Sequence, residues 1–333
     1  MNKLHVVITT IQKPTLAVRE LNQRLQAKNH TLHIVGDKKG PAEYDLSGTN
    51  FLDLDSQLQL PFKLANELPV GHYARKNVGY LVAIEQGAES IYETDDDNAP
   101  LIHWGSRKRD CDVKLVTGKG WVNAYQYFTQ ERIWPRGYPL DEIETSLGQA
   151  SQPDGQAHLL TSPIQQGLAN GSPDVDAVWR LVLEASFEFN DAPSVCLPAG
   201  AWCPFNSQST WWWPEAYPLL YLPSYCSFRM TDIWRSFIAQ RCLWEMGYGV
   251  VFHPPEVLQE RNEHDLMRDF SDEIPGYLRN KELVRVLEDR SLGKKPDAVG
   301  AKLLRWYEAL VKAEFFPEKE LILVRAWLDG LEG

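Results

Sequence analysis

The sequence predicts an α/β fold with a mostly parallel sheet, followed by a helical appendage at the C-terminal end. Residues 4–8 and 31–35 are apolar runs typical of buried strands, and residues 16–27 between them have helical periodicity. Residues 74–88 repeat the helical period up to Gly87, and a further strand pattern follows over residues 88–94. Strands that alternate with helices at this spacing favour parallel pairing, so a ligand is expected beyond their carboxyl ends.

Polar residues follow each of these strands and are therefore expected at one edge of the sheet. Hydroxyl residues end the first strand, an acidic and a basic residue follow the second, and three carboxylates follow residues 88–94. These candidate ligand-binding residues are Thr9, Thr10, Asp37, Lys38, Asp95, Asp96 and Asp97.

The three consecutive aspartates at positions 95–97 are the strongest functional signal in the chain. Carboxylates this close repel one another unless a cation lies between them. A hard divalent cation commonly combines one or two protein carboxylates with the phosphate oxygens of a substrate. The alternative is an acidic turn without function, because Asp and Asn are common turn residues and Asn98 and Pro100 follow.

The middle of the chain contains one segment with the composition of a loop. Gly, Ser, Gln and Pro are concentrated in residues 147–156, which predicts a loop between two halves or a mobile lid. A helix is predicted after it over residues 174–181, with Ser172 and Pro173 as its cap and first turn.

Residues 282–331 differ in kind from the rest of the chain. They have helical periodicity with charged outer faces, interrupted near Pro296 and Pro317, and form the predicted helical appendage. The predicted regions are a first half over residues 1–146, a second half over 157–277 and the helical region over 278–333.

Composition indicates a soluble enzyme and excludes several other classes of protein. The formal net charge of −11 argues against nucleic acid or an anionic membrane as the main partner. No apolar run approaches the length of a membrane span, and five cysteines without metal-ligand spacing suit a reducing cytosol. We therefore expect a cytoplasmic protein that does not span a membrane, while its oligomeric state stays open.

Six segments of the chain resemble the STELLO family of glycosyltransferases, from about residue 6 to about residue 277. The order of strand ends also resembles the sugar-nucleotide-binding half of a GT-A glycosyltransferase. A more distant similarity is to the reversibly glycosylated polypeptides, which include UDP-arabinopyranose mutases and share the three aspartates and an Arg-Gly-Tyr-Pro motif. The six segments are 75–81 (RKNVGYL), 94–98 (TDDDN), 134–140 (WPRGYPL), 204–210 (PFNSQST), 232–235 (DIWR) and 259–265 (QERNEHD).

The resemblance implies a GT-A (Rossmann-like) nucleotide-sugar-binding fold and a metal-dependent glycosyltransferase. Its donor would be a nucleotide-diphosphate sugar, its acceptor a glycan or another hydroxyl compound, and its setting the synthesis of surface polysaccharides. Asp95 and Asp97 would hold Mn²⁺ or Mg²⁺ against the donor, beside Asp96, and Asp37 would accept a hydrogen bond from the nucleoside.

A further metal ligand is expected near residue 264. His264 matches the place where many GT-A enzymes supply one, and Gln259 is the alternative if the register differs. Divalent cations bound to diphosphate prefer oxygen, so a solvated loop histidine is the competing interpretation.

Asp232 opens the helical pattern of residues 232–247. One interpretation is an N-cap, because Asp is favoured there and its replacement costs about 1 kcal/mol. The resemblance implies another, since inverting GT-A enzymes have an acidic residue at the start of a comparable helix. That residue removes the proton of the acceptor hydroxyl.

The diphosphate leaving group needs positive charge. The candidates are Arg75, Lys76, Arg136 and Arg261. Arg136 is the strongest candidate, because a planar guanidinium binds phosphate oxygens in a bidentate manner. In the reversibly glycosylated relatives the matching arginine is the glycosylated one. The competing interpretation is an arginine that stacks on Trp134.

An aromatic group is predicted either as a stacking platform for a sugar acceptor or as part of the core. It consists of Trp202, Trp211, Trp212, Trp213 and Tyr217. Two other functions stay open beside the transferase. One is a nucleotide-sugar mutase that interconverts ring forms without an acceptor, and the other is a non-catalytic scaffold that binds nucleotide sugar.

Overall fold

The computed structural model describes residues 3–147, 153–183, 186–260, 265–288 and 298–332. The strands are β1 Leu4–Thr9, β2 Thr31–Val35, β3 Thr49–Leu52, β4 Ser90–Thr94, β5 Asn98–Pro100, β6 Asp110–Leu115, β7 Gly120–Trp121, β8 Ala157–Thr161, β9 Ile164–Gly171, β10 Val195–Leu197, β11 Ala201–Trp202, β12 Ser209–Trp212 and β13 Val250–Gln259. The α-helices are α1 Leu16–Gln26, α2 Leu54–Leu58, α3 Lys63–Glu67, α4 Lys76–Glu85, α5 Ile143–Ser146, α6 Ala177–Leu183, α7 Thr231–Glu245, α8 Leu266–Glu288, α9 Val299–Lys312 and α10 Lys319–Asp329.

One sheet of eleven strands runs through the described residues. Its order is β3-β2-β1-β4-β12-β9-β13-β10-β6-β8, and β5 pairs with β13. The strands from β1 to β4 are parallel to their neighbours, whereas β12 enters antiparallel between β4 and β9. β9 and β13 then run parallel again. The predicted α/β fold is confirmed, with a parallel N-terminal part and a mixed remainder.

The two predicted halves share this sheet. β4 in the first half pairs with β12 in the second, and β6 pairs with β8 and β10. Residues 148–152, half of the predicted loop segment 147–156, lie outside the described residues. The halves are therefore sequence regions of one sheet rather than separate cores.

Both faces of the sheet are buried, which explains its continuous apolar strands. Along β1, Val6 and Ile8 pack on one face with α1, and Val7 packs on the other with α4. α4 approaches closely because residue 79 is glycine: a Cβ there would lie 2.6 Å from side-chain atoms of Val7 and Val35.

The predicted aromatic platform is part of this core. Trp211 and Trp213 pack on one face of the sheet, and Trp212 packs on the other with Trp202 and Tyr217. Because all five side chains are buried, the prediction that they stack on an acceptor is wrong, and the alternative of an aromatic core is confirmed.

The helix predicted over residues 174–181 starts later. α6 begins at Ala177, and the carboxylate of Asp176 accepts a hydrogen bond from the Trp179 N–H at 2.8 Å. Asp176 therefore replaces Ser172 and Pro173 as the residue that starts the helix, and Asp174 stays outside it.

The predicted C-terminal helices are confirmed and pack against the sheet domain. α8 runs continuously across the predicted boundary at residue 278, and a break at Pro317 separates α9 from α10. The predicted break near Pro296 lies outside the described residues. Trp306 and Trp327 are fully buried, so α9 and α10 belong to the main core. None of the described helices has the length and hydropathy to cross a membrane.

A buried ion pair joins β4 to α7. Both carboxylate oxygens of Glu93 accept hydrogen bonds from Arg235, at 2.7 and 2.8 Å, and neither side chain is more than 1% exposed. Trp212 and Tyr80 donate to the same carboxylate. A bidentate pair with its remaining lone pairs satisfied fixes the helix relative to the strand.

Candidate active site

A cavity of about 470 Å³ lies beyond the carboxyl ends of β1, β2 and β4. Its lining includes Thr9, Thr10, Asp37, the three consecutive aspartates at positions 95–97, Arg136 and Asp232. Residues from distant parts of the chain therefore meet where the parallel strands predicted them.

The first two aspartates have hydrogen-bond partners. Asp95 Oδ1 accepts from the Tyr73 hydroxyl at 2.9 Å and from Lys76 Nζ at 3.1 Å. Asp96 accepts from the Thr10 hydroxyl, and burial is the main cause that raises its pKa. Asp96 is thus tied to the end of β1, whereas the contacts of Asp95 with Tyr73 and Lys76 all involve Oδ1.

Asp97 is the least compensated carboxylate of the cluster. Its Oδ2 accepts from the amide of Gln259 at 3.0 Å, but its buried Oδ1 has no hydrogen-bond partner among the described residues. Burial, followed by the negative charge of Asp95, raises the pKa of Asp97 to about 7. A cation beside this carboxylate would offset both the burial of Asp97 and its repulsion from Asp95.

The cluster fits a hard cation that takes part of its coordination shell from a substrate. Across the ranges that the structure covers, no three His, Cys, Asp or Glu side chains converge as a metal site. Asp95 and Asp97 together meet the pattern of one or two carboxylates plus phosphate oxygens. The predicted ligand His264 lies outside the described residues.

Gln259 supports the cluster. Its side-chain oxygen accepts from Gln208 at 2.7 Å, and its nitrogen donates to Asp97. The register of β5 on β13, which pairs Asn98 with Gln259, brings it there. With both ends engaged, it orients Asp97 rather than offering a free metal ligand.

The end of β2 forms a second polar group. Asp37 accepts backbone hydrogen bonds from Gly71 and His72 at 2.8 and 2.9 Å, which fixes that loop beside the cavity. Lys38 is exposed and does not line the cavity, whereas Lys39 does, because the turn at Asp37 reverses the chain. Thr9 lines the cavity but donates its hydroxyl to the Val35 carbonyl at 3.1 Å.

His72 is a site residue that the sequence reasoning missed. Its Nδ1 accepts from the N–H of Ala74 at 3.0 Å, so the proton of the neutral ring lies on Nε2. Burial lowers the pKa of His72, against an opposing effect of Asp37, and the ring is neutral at neutral pH. His72 therefore offers one N–H donor to a ligand in the cavity.

The two predicted cations of α4 have different surroundings from those expected. Arg75 is fully buried and does not line the cavity; its guanidinium donates to Gln57 and to the carbonyls of Ala65 and Leu68. Lys76 lies beneath the acidic cluster and bonds Asp95 and the Thr94 carbonyl. Arg75 thus fixes the segment that contains Ala65 and Leu68, and Lys76 offsets part of the negative charge of the cluster at Asp95. Arg261 lies outside the described residues.

Arg136 lines the cavity between two carboxylates. It donates to Asp174 at 2.7 and 2.9 Å, to Asp232 at 3.0 and 3.1 Å, and to the Arg229 carbonyl. These contacts engage all five of its N–H donors. In this arrangement no N–H of Arg136 is left for a ligand, and its contact with phosphate or sugar stays a prediction.

Glycine at position 137 makes this clamp possible. Gly137 has φ of 88°, and a Cβ there would lie 2.4 Å from Cγ2 of Ile233 in α7. The turn that carries Arg136 therefore packs directly on the helix that carries Asp232.

Asp232 lies in the first turn of α7 and lines the cavity, as predicted. Within the described residues no side chain caps α7, so the N-cap interpretation of Asp232 is wrong. Burial alone would raise the pKa of Asp232, but Arg136 outweighs it and holds the pKa well below its usual range. Ser207 also donates to Oδ2 through its N–H and hydroxyl, each at 3.2 Å.

Ser207 and Tyr73 connect the two carboxylate groups. The Tyr73 hydroxyl lies 2.9 Å from Asp95 Oδ1 and 2.6 Å from Ser207 Oγ, and Ser207 Oγ lies 3.2 Å from Asp232 Oδ2. The two hydroxyl groups have one proton each, so they donate in two of these three contacts at a time. Sequence reasoning did not single out these two residues, although the segment 204–210 was one of the resembling motifs. A chain of polar contacts thus runs from the acidic cluster to Asp232.

Comparison with known proteins gives a consistent picture. Residues 229–333 match the family model described as STELLO glycosyltransferases. The chain is 30% identical over 357 residues to "Probable glycosyltransferase STELLO2" of Arabidopsis thaliana, and 29% identical over 350 residues to "Probable glycosyltransferase STELLO1". The resemblance to the STELLO family is confirmed.

The STELLO match covers 98% of this chain, and the chain spans 44% of the length of each of those two relatives. Among solved structures, a mycobacterial protein has a TM-score of 0.41 at 8% identity, covering 86% of this chain and 73% of that one. Glucosyl-3-phosphoglycerate synthase from Mycobacterium tuberculosis, in complex with phosphoglyceric acid, has a TM-score of 0.38 at 9% identity, covering 86% and 78%.

The STELLO-like segments converge on the cavity although they are far apart in sequence. Segment 75–81 supplies Lys76, segment 94–98 the acidic cluster, segment 134–140 Arg136, segment 204–210 Ser207 and segment 232–235 Asp232. Five of the six segments therefore contribute a residue to the candidate active site or to its immediate contacts.

Proposed function

We propose that this chain is a metal-dependent glycosyltransferase that moves a sugar from a nucleotide-diphosphate donor to a hydroxyl acceptor, in the synthesis of surface glycans. One observation carries the proposal: Asp95 and Asp97, the second with a buried oxygen that has no partner among the described residues, share one cavity with a separate carboxylate, Asp232. Transfer from a diphosphate donor needs a cation site and, apart from it, an acceptor site with a base.

Asp95 and Asp97 are the residues that would hold Mn²⁺ or Mg²⁺. When bound, such a cation neutralises the charge of the diphosphate leaving group. Lys76 and Tyr73 occupy one oxygen of Asp95, and Gln259 occupies one oxygen of Asp97. Each carboxylate therefore keeps one oxygen for a cation.

The nucleoside would lie at the end of β2. Asp37 already accepts backbone hydrogen bonds from Lys38 and Gly71 at Oδ1 and from His72 at Oδ2, so Oδ2 is the oxygen that can accept one more. With His72 Nε2 as a donor, the two residues would form an acceptor–donor pair beside the cavity. Such a pair matches the mixed donors and acceptors of a nucleoside. Lys39 adds a positive charge on the same side.

Asp232 would be the base of an inverting transfer. Its Oδ2 is engaged by Arg136 and Ser207, whereas Oδ1 accepts one hydrogen bond, from Arg136 at 3.1 Å, and can accept a second from an acceptor hydroxyl. Arg136 makes Asp232 a weak base, so its contribution depends mainly on orienting the hydroxyl.

The clamp disfavours the alternative of a mutase that becomes glycosylated on arginine. A guanidinium must lose a proton to act as a nucleophile, and the two carboxylates, outweighing the effect of burial, raise the pKa of Arg136. The scaffold alternative predicts donor binding without transfer, donor hydrolysis or ring interconversion.

The decisive experiment is titration calorimetry with a panel of nucleoside diphosphates, with and without Mn²⁺. We expect wild-type protein to bind at least one of them in a Mn²⁺-dependent manner and Asp97→Asn to lose that binding while it stays folded. Asp110→Asn, which changes an exposed carboxylate in β6, is the control and should bind as wild type. Manganese-dependent binding that survives in Asp97→Asn contradicts the proposal.

A further inference from the structure

Phe228 presents an exposed aromatic ring to the cavity. The side chain is 54% exposed and lines the cavity four residues before Asp232. The aromatic residues that the sequence suggested as a platform are all buried. Phe228 is thus the place where a flat apolar surface meets the polar site.

The segment that carries Phe228 is rigidly held. Ser227 donates its hydroxyl to the Asp272 carbonyl, Arg229 donates to Glu273 at 2.9 and 3.0 Å, and the Arg229 carbonyl accepts from Arg136. Because the residues on both sides of Phe228 are held by these bonds, its backbone loses little further freedom when a ligand stacks on the ring.

At least one face of the ring is open. Phe228 contacts Tyr73 in a T-shaped arrangement, with centroids 5.9 Å apart and planes at 77°. Such a contact engages at most one face of either ring. The contact also ties Phe228 to the residue that bonds Asp95 and Ser207.

The rest of the lining selects the kind of ligand. Around Phe228 the cavity presents carboxylates, amides and guanidinium groups, and its few other apolar side chains include Ile11. A sugar ring has hydroxyl groups around its edge and a face of C–H groups, and therefore matches one aromatic face surrounded by polar groups.

We propose that Phe228 is the acceptor platform and that the acceptor is a carbohydrate whose ring stacks on it. This inference rests on the proposed function and specifies its acceptor class. Stacking here would place a sugar hydroxyl toward Asp232, because both residues line the same cavity.

The test is saturation-transfer NMR with the methyl glycosides of glucose, galactose, mannose and xylose. Wild type and variants are measured with Mn²⁺ and the nucleoside diphosphate that wild type binds. We expect at least one glycoside to bind wild type, Phe228→Tyr to retain it, and Phe228→Leu and Phe228→Ala to weaken it about tenfold. Ile102→Ala, which removes a 92% exposed side chain outside the cavity, is the control and should not change it.

Two results would overturn the platform. One is that none of the glycosides binds wild type; the other is that Phe228→Leu binds as tightly as wild type. The leucine and tyrosine variants decide the matter if the alanine variant does not fold. Calorimetry of the nucleoside diphosphate on the same samples tests the donor site separately from Phe228. If Mn²⁺-dependent binding of the diphosphate is intact while no glycoside depends on Phe228, the platform is refuted and the proposed function stands.

Discussion

The two sides of the cavity use the same residue type in opposite electrostatic states. On the side of β4, Asp97 has a buried oxygen without a partner among the described residues and a pKa raised to about 7, chiefly by burial. On the side of α7, burial would also raise the pKa of Asp232, but Arg136 lowers it instead. Asp97 has no positive charge to offset its burial, because Lys76 pairs with Asp95, whereas Asp232 already pairs with Arg136. An added cation is therefore expected only on the side of β4.

The largest expected effect tests the side of α7. Asp232→Asn should reduce transfer to an acceptor by a factor of about 10² to 10⁴ while donor affinity stays near wild type, because it removes the base. Asp174→Asn is the matched control, since it removes the other carboxylate of the same arginine. Steady-state kinetics and calorimetry measure the two quantities. Equal losses in both variants would mean that Asp232 acts only as a partner of Arg136.

The next effect concerns the ion pair that joins the two sides. Glu93→Gln leaves Arg235 charged and buried, and should lower the free energy of unfolding by about 3 to 5 kcal/mol. Urea denaturation measures it. The control is Glu308→Gln, whose pair with Arg325 is about half exposed and should contribute about 0 to 1 kcal/mol. Similar losses in the two variants would show that Glu93 and Arg235 do not hold the sides together.

The third prediction concerns pH on the side of β4. The pKa of Asp97 rises from 3.8 to about 7 on folding, so between these values the folded state binds a proton that the unfolded state does not. Stability without metal should therefore fall as pH rises through this window. At pH 8 Asp97→Asn should raise the melting temperature, whereas Asp95→Asn should not, because it removes the partner of Lys76. If Asp97→Asn instead lowered the melting temperature in the absence of Mn²⁺, the Asp97 carboxylate would not carry an uncompensated negative charge.

The smallest effect distinguishes nucleoside recognition from metal binding. His72→Asn keeps an acceptor for the Ala74 N–H but withdraws the Nε2 donor, and His72→Gln supplies a donor at the longer reach. We expect His72→Asn to weaken the nucleoside and its diphosphate alike, several-fold, and His72→Gln to weaken them less. Asp37→Ala should weaken both ligands as well. Calorimetry that shows a loss for the diphosphate alone would remove both residues from nucleoside recognition.

The parts of the fold that the sequence predicted are those with local causes. The bounds of β2 and the start of α1 follow from apolar runs and periodicity, and the structure reproduces them. The convergence of the acidic cluster with Thr9, Thr10 and Asp37 followed from the rule that parallel strands end at one edge, whereas Asp232 was assigned to the site by the family resemblance. The start of α6 was misplaced because Ser172-Pro173 and Asp176 are both valid start signals, and only tertiary packing selects between them.

The site residues that sequence reasoning missed or misassigned depend on contacts between distant segments. The Asp174 carboxylate engages Arg136 across 38 residues, and no local pattern contains that pairing. Arg75 and Lys76 are adjacent, yet one faces a loop and the other the cluster. Burial of the tryptophans and exposure of Phe228 also depend on how the sheet is covered, which composition does not encode.

The insertion of β12 next to β4 has a consequence for synthesis on the ribosome. The edge of β4 is completed only by a segment 114 residues further on, as the bond from Thr94 to the Gln208 carbonyl shows. At 5–20 residues per second this segment follows roughly 6 to 23 s later. During that interval the nascent sheet has an open edge and an unpaired Glu93, so the N-terminal half is expected to need chaperone protection and to aggregate when expressed alone.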